Sequence, residues 1–404
     1  MLIKIILIFA LLLVSAHSVK AITAKTEVVL SPDAKQFAYV DSDSKGQFVI
    51  LNGKKQKTYS AVSTLAFSAD SKSFAYIAET DNGNVGTFFV VLNGKEQKKY
   101  DQIVQLLPFS PDSKQLAYTA VKDGKSFVVL NGKEQKKYDR VGEIIFSPDS
   151  KQYAYSAFQD GGAFVVLNGK EKNKYYTDNT SGQYFQDIVG LIFSPDSKQF
   201  SYNVIINGKQ FVVLNGTEQQ KYDYISSVIF SPDSKQYAYI ATQNNQSFIV
   251  FNGKEQKYYS GINQFIFSPN SRQYAYGASQ NGKSYLVLNG QEKNNYNDIG
   301  QIIFSPDSKK LAYTVIDKNY QYNVILNYKP QAGYGYVYNL MFGNNSNLAY
   351  EAITLDGKKQ VIVLDGKEIG KYDYIYTSGF SSNGKQFVYF IKQDGGPIKK
   401  LINL

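Results

Sequence analysis

The chain reads as an all-β protein built from tandem copies of one four-stranded antiparallel unit. Three observations predict this. First, the motif Phe-Ser-Pro-Asp-Ser-Lys or a close variant begins near Ser31, Ser68, Ser110, Ser147, Ser194, Ser231, Ser268 and Ser305, with degenerate copies at Gly343 and Ser381. Second, each clean copy is followed by a short aromatic strand such as Gln152-Tyr153-Ala154-Tyr155. Third, a further apolar run ending in Asn-Gly recurs, as at Phe164 to Gly169. Self-similarity at a spacing of 37 to 47 residues marks one supersecondary unit copied along the chain.

The N-terminus is set apart from the repeats. Lys4, the apolar run Ile5 to Val14, and small residues at Val19 and Ala21 form a secretory signal peptide over residues 1–21. Cleavage after Ala21 predicts an exported chain, periplasmic or extracellular, with no membrane anchor. The repeats then occupy residues 22–404.

Within one unit, Ile144-Ile145-Phe146 forms a short apolar first strand. Ser147-Pro148-Asp149-Ser150 reads as a type I turn, because Pro fixes φ at the second position. In the second strand, Tyr153 and Tyr155 share one face by the period of two. Asp160-Gly161-Gly162 turns the chain into Phe164-Val165-Val166-Leu167, whose unbroken apolar character suits burial on both faces. Asn168-Gly169 supplies a tight hairpin turn, and Lys170 to Tyr175 forms a polar fourth strand. Lysines on that outer strand discourage edge-to-edge pairing.

Four antiparallel strands running from apolar to lysine-rich describe one blade of a β-propeller, and ten motifs imply about ten blades. The C-terminus supplies three strands of the last blade, Tyr376 to Ser381, Gln386 to Phe390 and Pro397 to Leu404. The segment Ala21 to Thr23 aligns with a fourth strand. The expectation is therefore one ring closed by the mature N-terminal strand, with two tandem propellers breaking near Tyr175 as the alternative.

The segment Phe146 to Tyr155, repeated at Phe230 to Tyr239, resembles the signature of TolB-like propellers, a branch of the WD-type repeats. The resemblance spans about residues 28 to 390. The family form carries glycine before the lysine, where most copies here carry serine. It implies a β-propeller without the additional N-terminal domain of the translocation protein TolB.

Composition excludes more chemistry than it suggests. The chain has no cysteine, and its one histidine, His17, lies in the signal segment. Ser-His-Asp and Cys-His nucleophilic sites, and histidine-ligated metals, are therefore excluded from the mature chain. No cofactor and no metal site is expected. Asp41 to Gly46 resembles a calcium loop only in part. The net charge of +10 arises from lysines spread through the repeats, so nucleic acid is not an expected partner.

If the first-to-second and third-to-fourth turns share one face, the remaining turns lie on the other. Departures from the repeat concentrate on that other face: an enlarged loop over Glu79 to Thr87 and an insertion over Tyr176 to Gln186. The second residue after the recurrent Tyr also varies there, giving Arg140, Asp187, Tyr224, Gly261, Asp298, Tyr336 and Tyr374. Tyr338 and Tyr376 follow two residues on. Tyr224, Tyr336, Tyr338, Tyr374 and Tyr376, assigned to the segments leaving blades 5, 8 and 9, form the candidate partner surface, with Arg140, Asp187 and Asp298 beside them. Tyrosine suits sugar stacking and protein contact alike. The expected function is a monomeric, non-enzymatic module binding an unidentified protein or glycan. The alternatives are a carbohydrate-active propeller using Asp187 and Asp298 as paired carboxylates, and a propeller separated from a peptidase.

Overall fold

The computed structural model describes residues 29–33, 35–81, 86–104, 109–176, 187–381, 384–393 and 396–404. The expected signal segment, the strand expected at residues 21–23, residues 82–85 of the Glu79–Thr87 loop and residues 177–186 of the longer insertion lie outside these. The described chain forms ten antiparallel sheets and no helix. Consequently none of its helices is long and apolar enough to cross a membrane.

We number the sheets 1 to 10 in chain order. Their first strands are Val29–Leu30, Ala61–Phe67, Gln102–Ile103, Arg140–Phe146, Asp187–Phe193, Tyr224–Ile225, Gly261–Phe267, Asp298–Phe304, Tyr336–Phe342 and Ile375–Phe380. Sheets 1 and 2 lie in a compact unit over residues 1–99, and sheets 3 to 10 in a second unit over residues 100–404. Strands follow one another in sequence order within each sheet, as meanders, with the first strand of sheet 6 split into Tyr224–Ile225 and Ile229–Phe230, both paired with Tyr237–Gln243. Sheet 10 has three strands, the outermost being Gly396–Asn403.

Sheet 4 shows how the repeat builds itself. Its strands are Arg140–Phe146, Tyr153–Gln159, Gly162–Leu167 and Lys170–Tyr176. The first strand is longer than its apolar end suggests, because a bulge between Val141 and Ile144 lets it begin at Arg140. Tyr153 and Tyr155 stack on one face, ring centroids 6.4 Å apart. The third strand serves two interfaces at once. Phe164 and Val166 join a core with Ala117 and Val128 of sheet 3. Val165 joins Ile188, Phe193, Tyr202 and Phe211 of sheet 5. Each large apolar side chain so buried contributes about 1.5–3 kcal/mol.

The Ser-Pro-Asp-Ser turn is closed by the Ser150 N–H donating to the Ser147 carbonyl at 2.8 Å. The Ser147 hydroxyl donates to Asp149 at 2.6 Å and accepts from the Gln152 N–H at 2.9 Å. Asp149 also accepts from the Lys151 N–H, and with Ser147 this holds its carboxyl below the ordinary range. Ser150 itself has φ of +63°, the left-handed region that disfavours any residue but glycine. This is the position where the TolB-like pattern carries glycine.

Serine holds that position because its side chain is used between sheets. The Asp149 N–H of sheet 4 donates to the Ser197 hydroxyl of sheet 5 at 3.0 Å, and the Gln152 amide donates to the Ser197 carbonyl at 2.9 Å. The same bond joins Asp112 to Ser150, Asp196 to Ser234, Asp233 to Ser271 and Asn270 to Ser308, all at 2.9–3.0 Å. In the first unit, Asp33 donates to Ser71 at 3.1 Å.

A second clasp explains the Gly-Lys-Glu-Gln-Lys-Lys-Tyr pattern. The Tyr138 hydroxyl at the outer edge of sheet 3 donates at 3.1 Å to Glu171 on the fourth strand of sheet 4, and Lys136 approaches the same carboxylate at 2.7 Å. Tyr138 and Lys136 both follow the third strand of sheet 3, so this carboxylate ties sheet 3 to sheet 4. Tyr222 and Glu255 repeat the bond at 3.0 Å, and Tyr334 and Glu368 at 3.2 Å. Lys57, Lys136 and Lys257 are engaged between sheets in this way.

The turns divide between two faces as the sequence suggests. Asn168 of the third-to-fourth turn accepts from the Tyr153 N–H at 2.9 Å, beside the Ser-Pro-Asp-Ser turn. On the opposite side, the second-to-third turn meets the link between sheets, where the Asp123 N–H donates to Asp101 at 2.8 Å.

Candidate functional site

The candidate residues open the first strands on that opposite side. Arg140, Asp187, Tyr224, Asp298 and Tyr336 are each the first residue of their strand, and Tyr374 directly precedes Ile375–Phe380. Tyr224, Tyr336 and Tyr374 thus belong to sheets 6, 9 and 10, one sheet later than their assignment to the segments leaving blades 5, 8 and 9. The reason is that pairing with the next sheet begins immediately after the recurrent Tyr, as in Tyr224 opposite Thr242.

Two clefts occupy equivalent places, one between sheets 4 and 5 and one between sheets 8 and 9. The first, about 200 Å³, is lined by Arg140, Glu143, Phe158 and Asp187. Its walls are joined internally. Arg140 lies 3.5 Å from the Asp187 carboxylate, with its guanidinium 5.7 Å from the Phe158 ring centre. Asp187 also accepts from the Ile188 N–H at 2.9 Å.

The second cleft, about 370 Å³, brings Asp298, Tyr336 and Tyr338 together with Gln301, Thr314, Tyr322 and Asn339. Tyr336 remains 46% exposed. It packs edge-on against Tyr322 at 4.8 Å and stacks beside Tyr338 at 6.0 Å. The back of the cleft depends on a close approach: a Cβ at Gly300 would lie 2.5 Å from the Thr314 hydroxyl oxygen. That hydroxyl accepts from the Gln301 N–H at 2.9 Å. Asp298 caps its own strand, accepting from the Ile299 N–H at 2.8 Å and lying 3.4 Å from the Ser284 hydroxyl.

Behind Asn339 lies Glu351, 3% exposed. It accepts from the Asn339 amide at 2.8 Å and from the Ser378 hydroxyl of sheet 10 at 2.6 Å. Burial, reinforced by the Glu351 charge, pushes the Tyr338 phenol up to about 12. Tyr338 is therefore a neutral hydrogen-bonding group at any physiological pH.

The remaining candidates stand outside this cleft. Tyr224 is exposed at the start of sheet 6, and Tyr374 packs edge-on with Tyr376 at 5.0 Å in sheet 10. Asp187 and Asp298, considered together as an acid–base pair, line different clefts. Asp43, from the partial calcium loop, pairs with Lys55 at 2.5 Å and caps the Lys45 N–H at 2.8 Å. Among the described residues no group of three His, Cys, Asp or Glu side chains is placed to hold a metal.

Sequence reasoning passed over Tyr322, Gln301, Asn339, Thr314 and Glu351. One signal was available: Glu351 occupies the second-strand place held by Ser156 in sheet 4 and Thr314 in sheet 8, a buried position where an acid is unusual.

Ten consecutive antiparallel sheets of blade topology among the described residues define a β-propeller protein. No family model matches the chain, and no curated protein does. Among solved structures it is similar to one described as "Structure of Dos1 propeller", at 16% identity over 71% of this chain and 88% of that one, with a TM-score of 0.37.

Proposed function

We propose that the chain is an exported, TolB-like propeller that acts as a non-enzymatic binding module, released by cleavage after Ala21 and holding a protein or glycan partner on the face where its first strands begin. One observation carries this reading. In the cleft between sheets 8 and 9, Tyr336 leaves aromatic surface open to solvent beside the Asp298 carboxylate, whereas the repeated residues of the chain are engaged in joining sheets. Exposed tyrosine in a concave, partly polar setting is the composition of a recognition surface.

The test is capture of a partner from a glycan array and from secreted proteins by the purified chain, alongside a Tyr336→Ala/Tyr338→Ala variant. The partner specific to the parent should be lost from the variant. Equal capture by both would remove the binding face from this cleft. Turnover of any glycan that disappears in Asp187→Asn or Asp298→Asn would show an enzyme instead.

A further inference from the structure

We infer that the cleft between sheets 8 and 9 takes the ammonium or guanidinium group of a lysine or arginine side chain on a protein partner. This deepens the binding-module reading and rests on it. Two side-chain amides lining the cleft direct an N–H into the protein. The Gln301 amide nitrogen donates to the Leu340 carbonyl at 3.0 Å, and the Asn339 amide nitrogen donates to Glu351. Both amide orientations are forced, since a backbone carbonyl and a carboxylate only accept. Their oxygens, Asn339 Oδ1 and Gln301 Oε1, are thereby left as acceptors beside the Asp298 carboxylate and the Tyr322 and Tyr336 hydroxyls.

The charge of the site has one sign. Asp298 lines it and Glu351 lies behind Asn339, while no lysine or arginine lines it. Neither carboxylate belongs to an ion pair among the described residues. Tyr322, Tyr336 and Tyr338 add ring faces, which attract cations through their quadrupole. A donor-rich cation satisfies the oxygens, the charge and the rings together; a neutral sugar leaves the charge unanswered.

The chain itself shows what such a set of groups holds. In the equivalent cleft between sheets 4 and 5, the Arg140 guanidinium lies against Phe158 and the Asp187 carboxylate. In the clasp at Glu171, Lys136 lies 5.5 Å from the Tyr138 ring centre and 2.7 Å from the carboxylate. The cleft between sheets 8 and 9 has Asp298 where Arg140 stands in sheet 4 and brings rings of its own, Tyr322, Tyr336 and Tyr338, with no cation of the chain lining it among the described residues. The cation must therefore come from outside. Tyrosine-rich surfaces of this kind favour a protein source for it.

The experiment titrates blocked Gly-Arg-Gly and Gly-Lys-Gly peptides into the purified chain, with the citrulline peptide as a neutral isostere, following tyrosine ring resonances by NMR. Glucosamine and N-acetylglucosamine form a carbohydrate arm. The charged peptides should saturate, with citrulline about tenfold or more weaker and the difference shrinking in salt. Asp298→Asn keeps the acceptor for the Ile299 N–H and should weaken arginine binding about fivefold or more, as should Tyr336→Ala. Asp187→Asn, in the other cleft, should leave it unchanged. Citrulline binding as tightly as arginine, no saturation by either charged peptide, or glucosamine binding more tightly than both would overturn the inference. A partner that requires Tyr336 but ignores charge would overturn it too, while leaving the binding-module reading intact.

Discussion

Replacing Ser197 tests whether the hydroxyl clasp is what allows serine at a left-handed position. Ser197 has φ of +62° and is almost fully buried. Holding a non-glycine residue there costs about 1 kcal/mol. Its hydroxyl accepts from the Asp149 N–H at 3.0 Å, a bond worth about 1 kcal/mol net. Ser197→Ala keeps the backbone cost and loses the bond, so it should destabilise by about 1 kcal/mol, or more where water fails to replace the acceptor. Ser197→Gly loses the same bond and relaxes the backbone, but it adds unfolded-chain entropy of about 0.4–1 kcal/mol. The expected order of stability is parent, then glycine, then alanine. The assay is hydrogen exchange at the Asp149 amide, which reads opening at the bond itself. A change of about 1 kcal/mol there accelerates exchange about fivefold. If Ser197→Gly exceeded the parent in stability, or Ser197→Ala left exchange at Asp149 untouched, the account of this serine would be wrong.

Other consequences can be checked directly. Tyr118, Tyr138, Tyr276 and Tyr334 are each pushed up to about 12, chiefly by burial; their contribution to stability is complete below pH 10 and is lost as pH rises beyond it. An ultraviolet titration should therefore show these phenols ionising late and together with unfolding. At the acid end, Lys136 and Tyr138 hold Glu171 below the usual carboxylate range, and Lys57 and Tyr59 do the same for Glu96. Stability from both is present above the ordinary glutamate pKa and declines as pH falls through the lowered values, which acid-dependent thermal melting would reveal. Lys136→Ala should cost less than about 1 kcal/mol, since the pair is largely exposed. Val165→Ala should cost about 2 kcal/mol by opening a void between sheets 4 and 5, measured by urea unfolding.

The repeat was legible because its signals are local. Pro148 sets a turn and Asn168-Gly169 sets a hairpin whatever surrounds them, and Phe164 to Leu167 declares double burial by being apolar throughout. The starts of the first strands are legible as the place where the pattern varies, and Asp298, Tyr336 and Tyr338 stand there in the sequence alone. What escaped depends on contact between repeats. Nothing in the spelling of Ser150 shows a positive φ, since its compensation comes from Asp112, 38 residues earlier. The acceptor character of the cleft was hidden for the same reason, because Asn339 and Gln301 spend their amides on partners fixed by packing.

The clasp between turns also has a direction in time. Its donor always belongs to the earlier sheet and its acceptor to the later one, from Asp112 and Ser150 through Asn270 and Ser308. During synthesis sheets 1, 3, 4, 5, 6 and 7 each expose an N–H that the next sheet, its serine 38 to 48 residues later, arrives ready to cap. Assembly can thus advance with the ribosome, each addition templated by the one before it and none waiting for the C-terminus.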